Sequence, residues 1–318
     1  MALIEVEHLK KYFETPRGLL HAVDDVSFAI EKRETLGVVG ESGCGKSTLG
    51  RLLLHLLENS GGRIAFDGED ISNIKENRRR ELCKQMQMIF QDPFSSIDPR
   101  KTVRQTIEEP LRVFRRGNRQ EMDKQVDEIM DLVGISKRIR NAYPHELDGG
   151  RRQRVGIARA LILKPRFIVC DEPVSALDVS IQAQIINLML ELQETMGLTY
   201  IFITHDMSVV RHVSNNILVM YLGQVVETSE CEALFQAPFH PYTKALLSAV
   251  PVPDIDHKTE RMLLRGEITS PINPEPGCRF AARCPYSKEV CSRKNPELCE
   301  VCPGHRVACH FVKEINGL

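Results

Sequence analysis

The residues best suited to chemistry form a glycine-rich segment that ends in a lysine and a serine. Residues 40–47, G-E-S-G-C-G-K-S, fit the pattern G-x-x-x-x-G-K-[ST]. The apolar run 36–39 before this segment predicts a buried strand, and the leucine-rich run 48–57 after it predicts a helix. Backbone N–H groups in such a loop and at a helix N-terminus bind phosphate. We therefore predict that Lys46 reaches the β- and γ-phosphates of a nucleotide and that Ser47 binds Mg²⁺.

Two neighbouring carboxylates follow a second apolar run. Residues 167–170 predict a buried strand, and Asp171 stands at its carboxyl end. In doubly wound folds this end of the sheet faces the nucleotide, so Asp171 is expected to hold Mg²⁺ through water. Glu172, taken alone, suits a solvated loop. Beside a metal it can orient or deprotonate an attacking water.

The elements that must position these residues alternate between strands and helices. Helix-spaced apolar residues dominate 100–165 and recur in 181–196, and residues 200–203 predict another buried strand. Asp67-Gly68 predicts a hairpin-like turn. This alternation favours a doubly wound α/β core. Beyond about residue 237 the proline content rises, which predicts a separate, loop-rich extension that needs its own staple.

Composition limits the class of protein. The 318 residues carry a formal net charge of −1, which gives no basic footprint for nucleic acid. Residues 1–12 do not resemble a signal peptide, and no run reaches the roughly 18 apolar residues of a spanning helix. We therefore expect a soluble, cytosolic protein, and any membrane role must depend on partners. Six of the ten cysteines crowd the last 41 residues, which indicates a metal site in a reducing compartment.

In combination, these segments resemble the ABC transporter ATPases over nearly the whole chain. The resemblance implies that Tyr12 stacks on adenine and that Gln91, in Gln-Asp-Pro, contacts Mg²⁺ and water and signals to membrane subunits. It also implies that residues 175–178 form a D-loop and that His205 contacts the γ-phosphate and fixes Glu172. The expected ATP-binding residues are Tyr12, Ser42, Gly43, Cys44, Gly45, Lys46, Ser47 and Thr48. The expected Mg²⁺ ligands are Ser47, Gln91 and Asp171, and the expected catalytic residues are Glu172, His205 and Gln91.

The signature segment departs from the family pattern. Where the family has Leu-Ser-Gly-Gly-Gln, residues 147–151 are Leu-Asp-Gly-Gly-Arg. The residues expected to contact the ATP of a partner subunit are Asp148, Gly149, Gly150 and Arg151. An ionised Asp148 cannot donate a hydrogen bond and brings like charge to phosphate, which Arg151 partly offsets. We therefore predict an asymmetric dimer in which the partner's site hydrolyses ATP slowly.

Three segments narrow the resemblance to importers of dipeptides, oligopeptides or nickel. These are residues 91–100, residues 240–247 and the cysteine-rich tail. The resemblance implies peptide import, with nickel import as the alternative. The implied partners are a second ABC ATPase subunit, two transmembrane permeases and, indirectly, a periplasmic or extracellular peptide-binding protein. A heterodimer is expected in the complex, and a homodimer can form in isolation. The complex is expected on the inner face of the membrane, and no nucleic-acid partner is expected.

The tail offers four soft ligands, Cys278, Cys284, Cys291 and Cys309. Four thiolates suit either a [4Fe–4S] cluster or tetrahedral zinc, and their spacing matches neither a zinc ribbon nor the common ferredoxin run. Resemblance to the importer tail favours the [4Fe–4S] cluster, with zinc as the alternative. Cys299-x₂-Cys302 would suggest zinc in isolation, but the family does not use these positions.

The expected fold is α/β, with a P-loop ABC ATPase core, an antiparallel β subdomain, an inserted α-helical subdomain and a small cysteine-rich C-terminal extension. The expected boundaries are 1–237 for the ATPase domain, about 92–165 for the helical subdomain, 238–318 for the extension and 278–309 for the cysteine region. Two other classes compete with a transporter subunit. One is a soluble ABC-type ATPase of DNA repair or translation, and the other is an iron–sulfur redox sensor with a vestigial ATPase.

Overall fold

The computed structural model describes residues 2–92, 96–115, 117–250, 262, 264, 266 and 270–318. These residues form two compact units, one made of Met1–Asn73 with Phe202–Leu318 and the other of Ile74–Ile201. The strands are β1 (Ala2–Thr15), β2 (Gly18–Glu31), β3 (Thr35–Val39), β4 (Gly61–Phe66), β5 (Glu69–Asp70), β6 (Met86–Ile89), β7 (Phe167–Asp171), β8 (Thr199–Ile203), β9 (Asn216–Tyr221), β10 (Gln224–Glu230), β11 (Cys299–Cys302) and β12 (His305–Val307).

The described α-helices are α1 (Lys46–Leu53), α2 (Glu76–Gln85), α3 (Val103–Val113), α4 (Arg119–Leu132), α5 (Gly149–Leu161), α6 (Val179–Met196), α7 (Met207–Val213), α8 (Cys231–Gln236), α9 (Pro241–Ser248), α10 (Glu289–Arg293) and α11 (Val312–Asn316). Part of the motif at residues 91–100 lies outside the described residues, namely 93–95. No helix in the described ranges is both long and apolar enough to cross a membrane.

The first unit contains an antiparallel sheet with the strand order β2-β1-β4-β5. The predicted turn at Asp67-Gly68 joins β4 and β5, and both residues have positive φ, 52° and 82°. A two-residue turn with this backbone matches the twist of an antiparallel pair. The antiparallel β subdomain is therefore confirmed.

The same unit contains strands of a second sheet in the order β11-β12-β10-β9-β3. β3 pairs in parallel with β9, and every residue of β3 is buried. β9 pairs with β10 in an antiparallel arrangement. A central strand buried on both faces reads as a continuous apolar run, which is why β3 could be predicted from its sequence.

The C-terminal extension continues this sheet, whereas the sequence predicted a separate, loop-rich element. β12 pairs with β10, with Glu227 opposite Val307 and Thr228 opposite Arg306. Beneath this pairing, the fully buried carboxylate of Glu227 accepts a hydrogen bond from His305 Nε2 at 2.7 Å if that nitrogen carries the proton. A three-residue strand is too short to show a period, so the sequence could not reveal this pairing.

The second unit combines helices with parallel strands. β6 and β7 pair in parallel, and β8 lies next to β7 in the strand order. Helices α3 and α4 each begin with a capping box, at Thr102 and at Asn118, in which side chain and backbone satisfy each other's hydrogen bonds. The helical content predicted between residues 100 and 165 is present here as α3, α4 and α5.

Candidate nucleotide-binding site

The glycine-rich loop connects the buried strand β3 to helix α1. Gly45 is the N-cap of α1 and has a φ of +105°, a backbone conformation that side chains rarely adopt. A Cβ atom built on Gly45 lies 2.0 Å from the carbonyl oxygen of Ala22, so no larger residue fits there. The loop backbone is thereby held in the strand–loop–helix arrangement that binds phosphate.

The lysine of this loop lies over the loop's own backbone. Lys46 is buried, and its Nζ donates to the carbonyl oxygens of Gly40 at 2.7 Å and Glu41 at 3.0 Å. Cys44 is also buried, and burial raises the pKa of its thiol, which keeps it protonated. Four of the other expected ATP-binding residues lie in the loop and the first turn of α1 and are partly or fully exposed: Ser42, Gly43, Ser47 and Thr48.

Tyr12 lies in a network of polar side chains within the same unit. Its hydroxyl donates to Asp24, and its ring lies 4.1 Å from the ring of His21. Arg279, from the C-terminal extension, pairs with Asp24 and donates to the carbonyl of Leu222. Burial, followed by the hydrogen bond to Asp24, raises the pKa of Tyr12, so the phenol stays protonated. The ring that is expected to stack on adenine therefore has a fixed orientation.

His205 follows β8 in the first unit and is exposed. Immediately before it, the backbone N–H of Thr204 donates to the carbonyl of Val38 at 3.2 Å, beside the strand that leads into the loop. Immediately after it, Asp206 caps α7 by accepting the N–H of Ser208 at 2.8 Å. Both neighbours are anchored, so the position of the His205 backbone is well defined.

In the second unit Asp171 is the last residue of β7, and Glu172 directly follows the strand. Asp171 is buried, and Glu172 has a φ of 47°, an uncommon value for a residue other than glycine. Gln91 Nε2 donates to Glu172 Oε2 at 3.0 Å. A strained backbone at a carboxylate is typical of functional sites. The structure thus brings together two of the three residues predicted to be catalytic.

The signature segment begins helix α5. Asp148 is its N-cap and accepts the backbone N–H of Arg151 at 2.7 Å, and Arg151 Nε lies 3.4 Å from the other carboxylate oxygen. A Cβ on Gly150 would lie 2.6 Å from Ile181 Cγ2, at the start of α6, and a Cβ on Gly149 3.1 Å from Leu177 Cδ2. The two glycines therefore allow close packing against the predicted D-loop and the helix that follows it.

The four tail cysteines influence one another electrostatically. Burial, with smaller contributions from the nearby Cys291, Cys284 and Cys309, raises the pKa of Cys278 to about 11. For Cys278, Cys284 and Cys309, the backbone N–H of the residue two positions later lowers the pKa, against the larger effect of burial. Within the described ranges, no three His, Cys, Asp or Glu side chains are arranged to hold a metal ion.

Among the described residues, several side chains that contact the predicted site carry no recognisable sequence signal. Asp24 accepts from Tyr12 and pairs with Arg279, and Tyr242 and Arg283 both contact Glu41 of the glycine-rich loop. The two arginines directly follow Cys278 and directly precede Cys284. Their position beside two cysteines does not reveal these contacts, because Asp24 and Glu41 lie more than 240 residues away in the sequence.

Comparison with known proteins adds family membership. Residues 23–175 match the ABC transporter family, and residues 226–291 match the oligopeptide/dipeptide transporter C-terminal region. The oligopeptide transport ATP-binding protein AppF of Bacillus subtilis is 51% identical over 97% of each chain. The putative oligopeptide transport ATP-binding protein YkfD of the same organism is 48% identical over 98% of this chain and 96% of its own.

Solved structures give the same fold. The cbiO1 protein of Clostridium perfringens, part of the cbiONQ ABC transporter complex, has a TM-score of 0.67 at 29% identity, covering 74% of this chain and 91% of its own. The ATP-binding cassette MJ0796, as a dimer bound to ADP and phosphate, has a TM-score of 0.66 at 27% identity, covering 72% and 98%. The chain is therefore an ATPase that belongs to the ABC transporter family and carries the C-terminal region of its oligopeptide/dipeptide branch.

Proposed function

We propose that this protein is the ATP-hydrolysing subunit that energises import of di- or oligopeptides through an ABC transporter. The names of the relatives AppF and YkfD support the peptide substrate. For the chemistry, the hydrogen bond between Gln91 and Glu172 carries the proposal, because it holds a carboxylate at the end of β7 beside the residue expected to contact metal and water.

In the proposed reaction each residue has one role. Lys46 and the loop N–H groups hold the β- and γ-phosphates, and Ser47 binds Mg²⁺, the ion that neutralises charge on the phosphates. Asp171 supports the ion through water. Glu172 orients the attacking water and accepts its proton, with Gln91 fixing the carboxylate. His205 contacts the γ-phosphate and so distinguishes ATP from ADP.

The test of this chemistry separates binding from hydrolysis. Glu172→Gln is expected to retain ATP binding and to lower kcat by about 10²-fold or more, the range of general base catalysis. Glu194→Gln on α6, where the side chain is exposed, is the matched control and is expected to behave as wild type. Equal turnover in the two variants would remove Glu172 from the mechanism.

The proposed assembly contains this chain, a second ABC ATPase subunit and two permeases, on the cytoplasmic face of the membrane, with a peptide-binding protein outside. We assign 1–237 to the ATPase domain, about 92–165 to its helical subdomain and 238–318 to the extension. Reconstitution in vesicles with permeases tests this assembly. Stimulation of turnover by peptide-loaded binding protein supports the proposal. Stimulation by nickel alone would instead indicate that nickel is the transported substrate.

We also propose that Cys278, Cys284, Cys291 and Cys309 hold a [4Fe–4S] cluster. Two contacts support it: the backbone N–H of Cys278 donates to the carbonyl oxygen of Cys291 at 2.7 Å, and Cys278 and Cys284 pack against the same cluster of buried residues. Four thiolates are the usual ligands of such a cluster. When bound, the cluster would cross-link the tail. Anaerobic purification with iron, sulfide and zinc analysis is expected to give about four irons per chain. About one zinc and no iron would instead indicate the tetrahedral alternative.

A further inference from the structure

Glu41, in the glycine-rich loop, is held by three different groups. Its carbonyl oxygen accepts from Lys46 Nζ at 3.0 Å. Its backbone N–H donates to the hydroxyl oxygen of Tyr242 at 2.8 Å. Its carboxylate oxygens accept hydrogen bonds from both terminal nitrogens of Arg283, at 2.7 and 3.0 Å. Two of these partners, Tyr242 and Arg283, belong to the C-terminal part of the chain that the family's phosphate-site motifs do not include.

The contact between Arg283 and Glu41 is partly buried and has a defined geometry. Arg283 is only 8% exposed, and its guanidinium lies 5.9 Å from the ring centre of Tyr221. The hydrogen bonds to Glu41 raise the pKa of Arg283 despite its burial. The fork of two parallel N–H···O bonds fixes orientation as well as distance, which a lysine cannot reproduce.

Tyr242 is placed with equal definition. It is fully buried in α9 and packs edge-on against Tyr221, with ring centres 4.8 Å apart. Phe280, three residues before Arg283, packs against both tyrosine rings. The same aromatic cluster therefore supports both groups that hold Glu41.

A carboxylate in a phosphate-binding loop is electrostatically unfavourable. The charge of an unpaired Glu41 repels the phosphates of ATP, and the repulsion grows where water is excluded. Arg283 neutralises this charge, and Tyr242 fixes the backbone N–H of the same residue. Through Glu41, both contacts also determine where the carbonyl that holds Lys46 lies.

We propose that Arg283 and Tyr242 are positioning residues for ATP binding, by which the C-terminal extension completes the phosphate loop. The inference rests on the proposed function, because it requires that this loop bind ATP. It predicts a dependence of ATP affinity on the extension. A purely structural role, in which the ion pair only anchors the extension, predicts lower stability without this dependence.

The sign of each effect distinguishes the two roles. Arg283→Met leaves the Glu41 charge uncompensated and is expected to raise the Kd for ATP about tenfold, equivalent to ~1.4 kcal/mol. Glu41→Gln removes the repulsion and leaves the positive charge of Arg283, so it is expected to lower that Kd. The double variant is expected to return to within about threefold of wild type, or under ~0.7 kcal/mol.

Titration with a fluorescent ATP analogue and steady-state ATPase kinetics measure these effects on the full-length chain. KM is expected to follow the Kd and to change more than kcat, because Glu172 and its hydrogen bond from Gln91 are untouched. Arg283→Lys keeps the charge but loses the fork, and is expected to lie between wild type and Arg283→Met. Tyr242→Phe, which removes only the acceptor for the Glu41 N–H, is expected to raise the Kd. Arg293→Met, which cuts an exposed ion pair of the extension with Glu289, is the matched control.

Two outcomes overturn the inference alone: an Arg283→Lys or Arg283→Met variant that binds ATP like wild type, or a Glu41→Gln variant that weakens binding as much as Arg283→Met. Should Arg283→Met fail to fold, Arg283→Lys and Glu41→Gln still test the sign. Lys46→Ala separates the inference from the proposed function, because it is expected to abolish binding. A wild-type chain that binds no ATP would overturn both.

Discussion

Replacing Asp148 separates its role in the fold from its role in catalysis. Asp148 Oδ1 accepts the N–H of Arg151 at 2.7 Å and so caps α5. Asp148→Ala removes this cap, which costs about 1 kcal/mol. Asp148→Ser keeps an acceptor of equal rank and loses only the favourable charge at the helix N-terminus, about 0.5 kcal/mol. The side-chain ion pair with Arg151 is more than half exposed on both sides and adds little.

The catalytic effect is expected to follow a different order. A serine hydroxyl can donate to the γ-phosphate of the partner's ATP, alanine offers nothing, and ionised Asp148 repels it. Two unit charges 4 Å apart repel by ~1 kcal/mol in water and ~4 kcal/mol at an effective dielectric constant of 20. Replacing the carboxylate by a hydroxyl is therefore expected to raise turnover at the partner's site by about tenfold or more. For the residue at position 148, stability should decrease in the order Asp, Ser, Ala, and turnover at the partner's site should decrease in the order Ser, Ala, Asp.

The assay must report the partner's site alone. Glu172→Gln in this chain silences its own site, so the turnover left in a reconstituted pair comes from the partner's ATP, which faces Asp148. Denaturant unfolding of each variant gives the stability order. Asn118→Ala, which removes the cap of α4, is the stability control and should leave turnover unchanged. Unchanged turnover in Asp148→Ser with Arg151→Gln would refute the asymmetric dimer.

Three further predictions concern the first unit. Burial lowers the pKa of His240 from 6.5 to about 4, so the unfolded chain binds a proton that the folded chain excludes. The free energy of unfolding should then decrease by about 1.4 kcal/mol for each pH unit as the pH falls from 6.5 to about 4. In His240→Asn, denaturant unfolding at a series of pH values should show a weaker dependence of stability on pH. Gly45→Ala, which forces a Cβ onto Ala22, should abolish ATP binding in a nucleotide titration. Arg279→Met should loosen Tyr12 and raise the Kd for ATP about fivefold, the scale of one ring contact, without changing that for tripolyphosphate.

The phosphate loop could be predicted from sequence because its information is local. One pattern of glycines between an apolar run and a leucine-rich run specifies strand, loop and helix. β7 with Asp171 was predictable for the same reason. By contrast, Arg283 and Glu41 are 242 residues apart, and neither lies in a periodic pattern. Which basic side chain neutralises a loop carboxylate is decided by the packing of Phe280 and Tyr242, which no local rule describes.

The signature segment shows a different limit of sequence reasoning. The sequence pattern presents Asp148 only as a charge facing phosphate, whereas the structure also makes this residue a helix cap. Asp and Ser cap helices about equally well, so the exchange preserves α5 whatever it does to catalysis. A sequence pattern that describes only the contact with phosphate therefore cannot show that the substitution preserves the helix cap.

The extension is attached by more than its cysteines, and this affects how its chemistry can be tested. The proline-rich composition suggested that a staple was needed, yet Phe280 is almost fully buried against Tyr221 and Tyr242, and Glu227 forms a buried contact with His305. Breaking a buried pair of this kind typically costs ~3–5 kcal/mol when the pair is charged, and a buried aromatic ring contributes on a similar scale. These contacts should hold the extension to the unit without a metal. Iron content and ATP affinity are therefore separable measurements: loss of iron removes a cross-link in the tail, while loss of the Arg283 contact alters the phosphate loop itself.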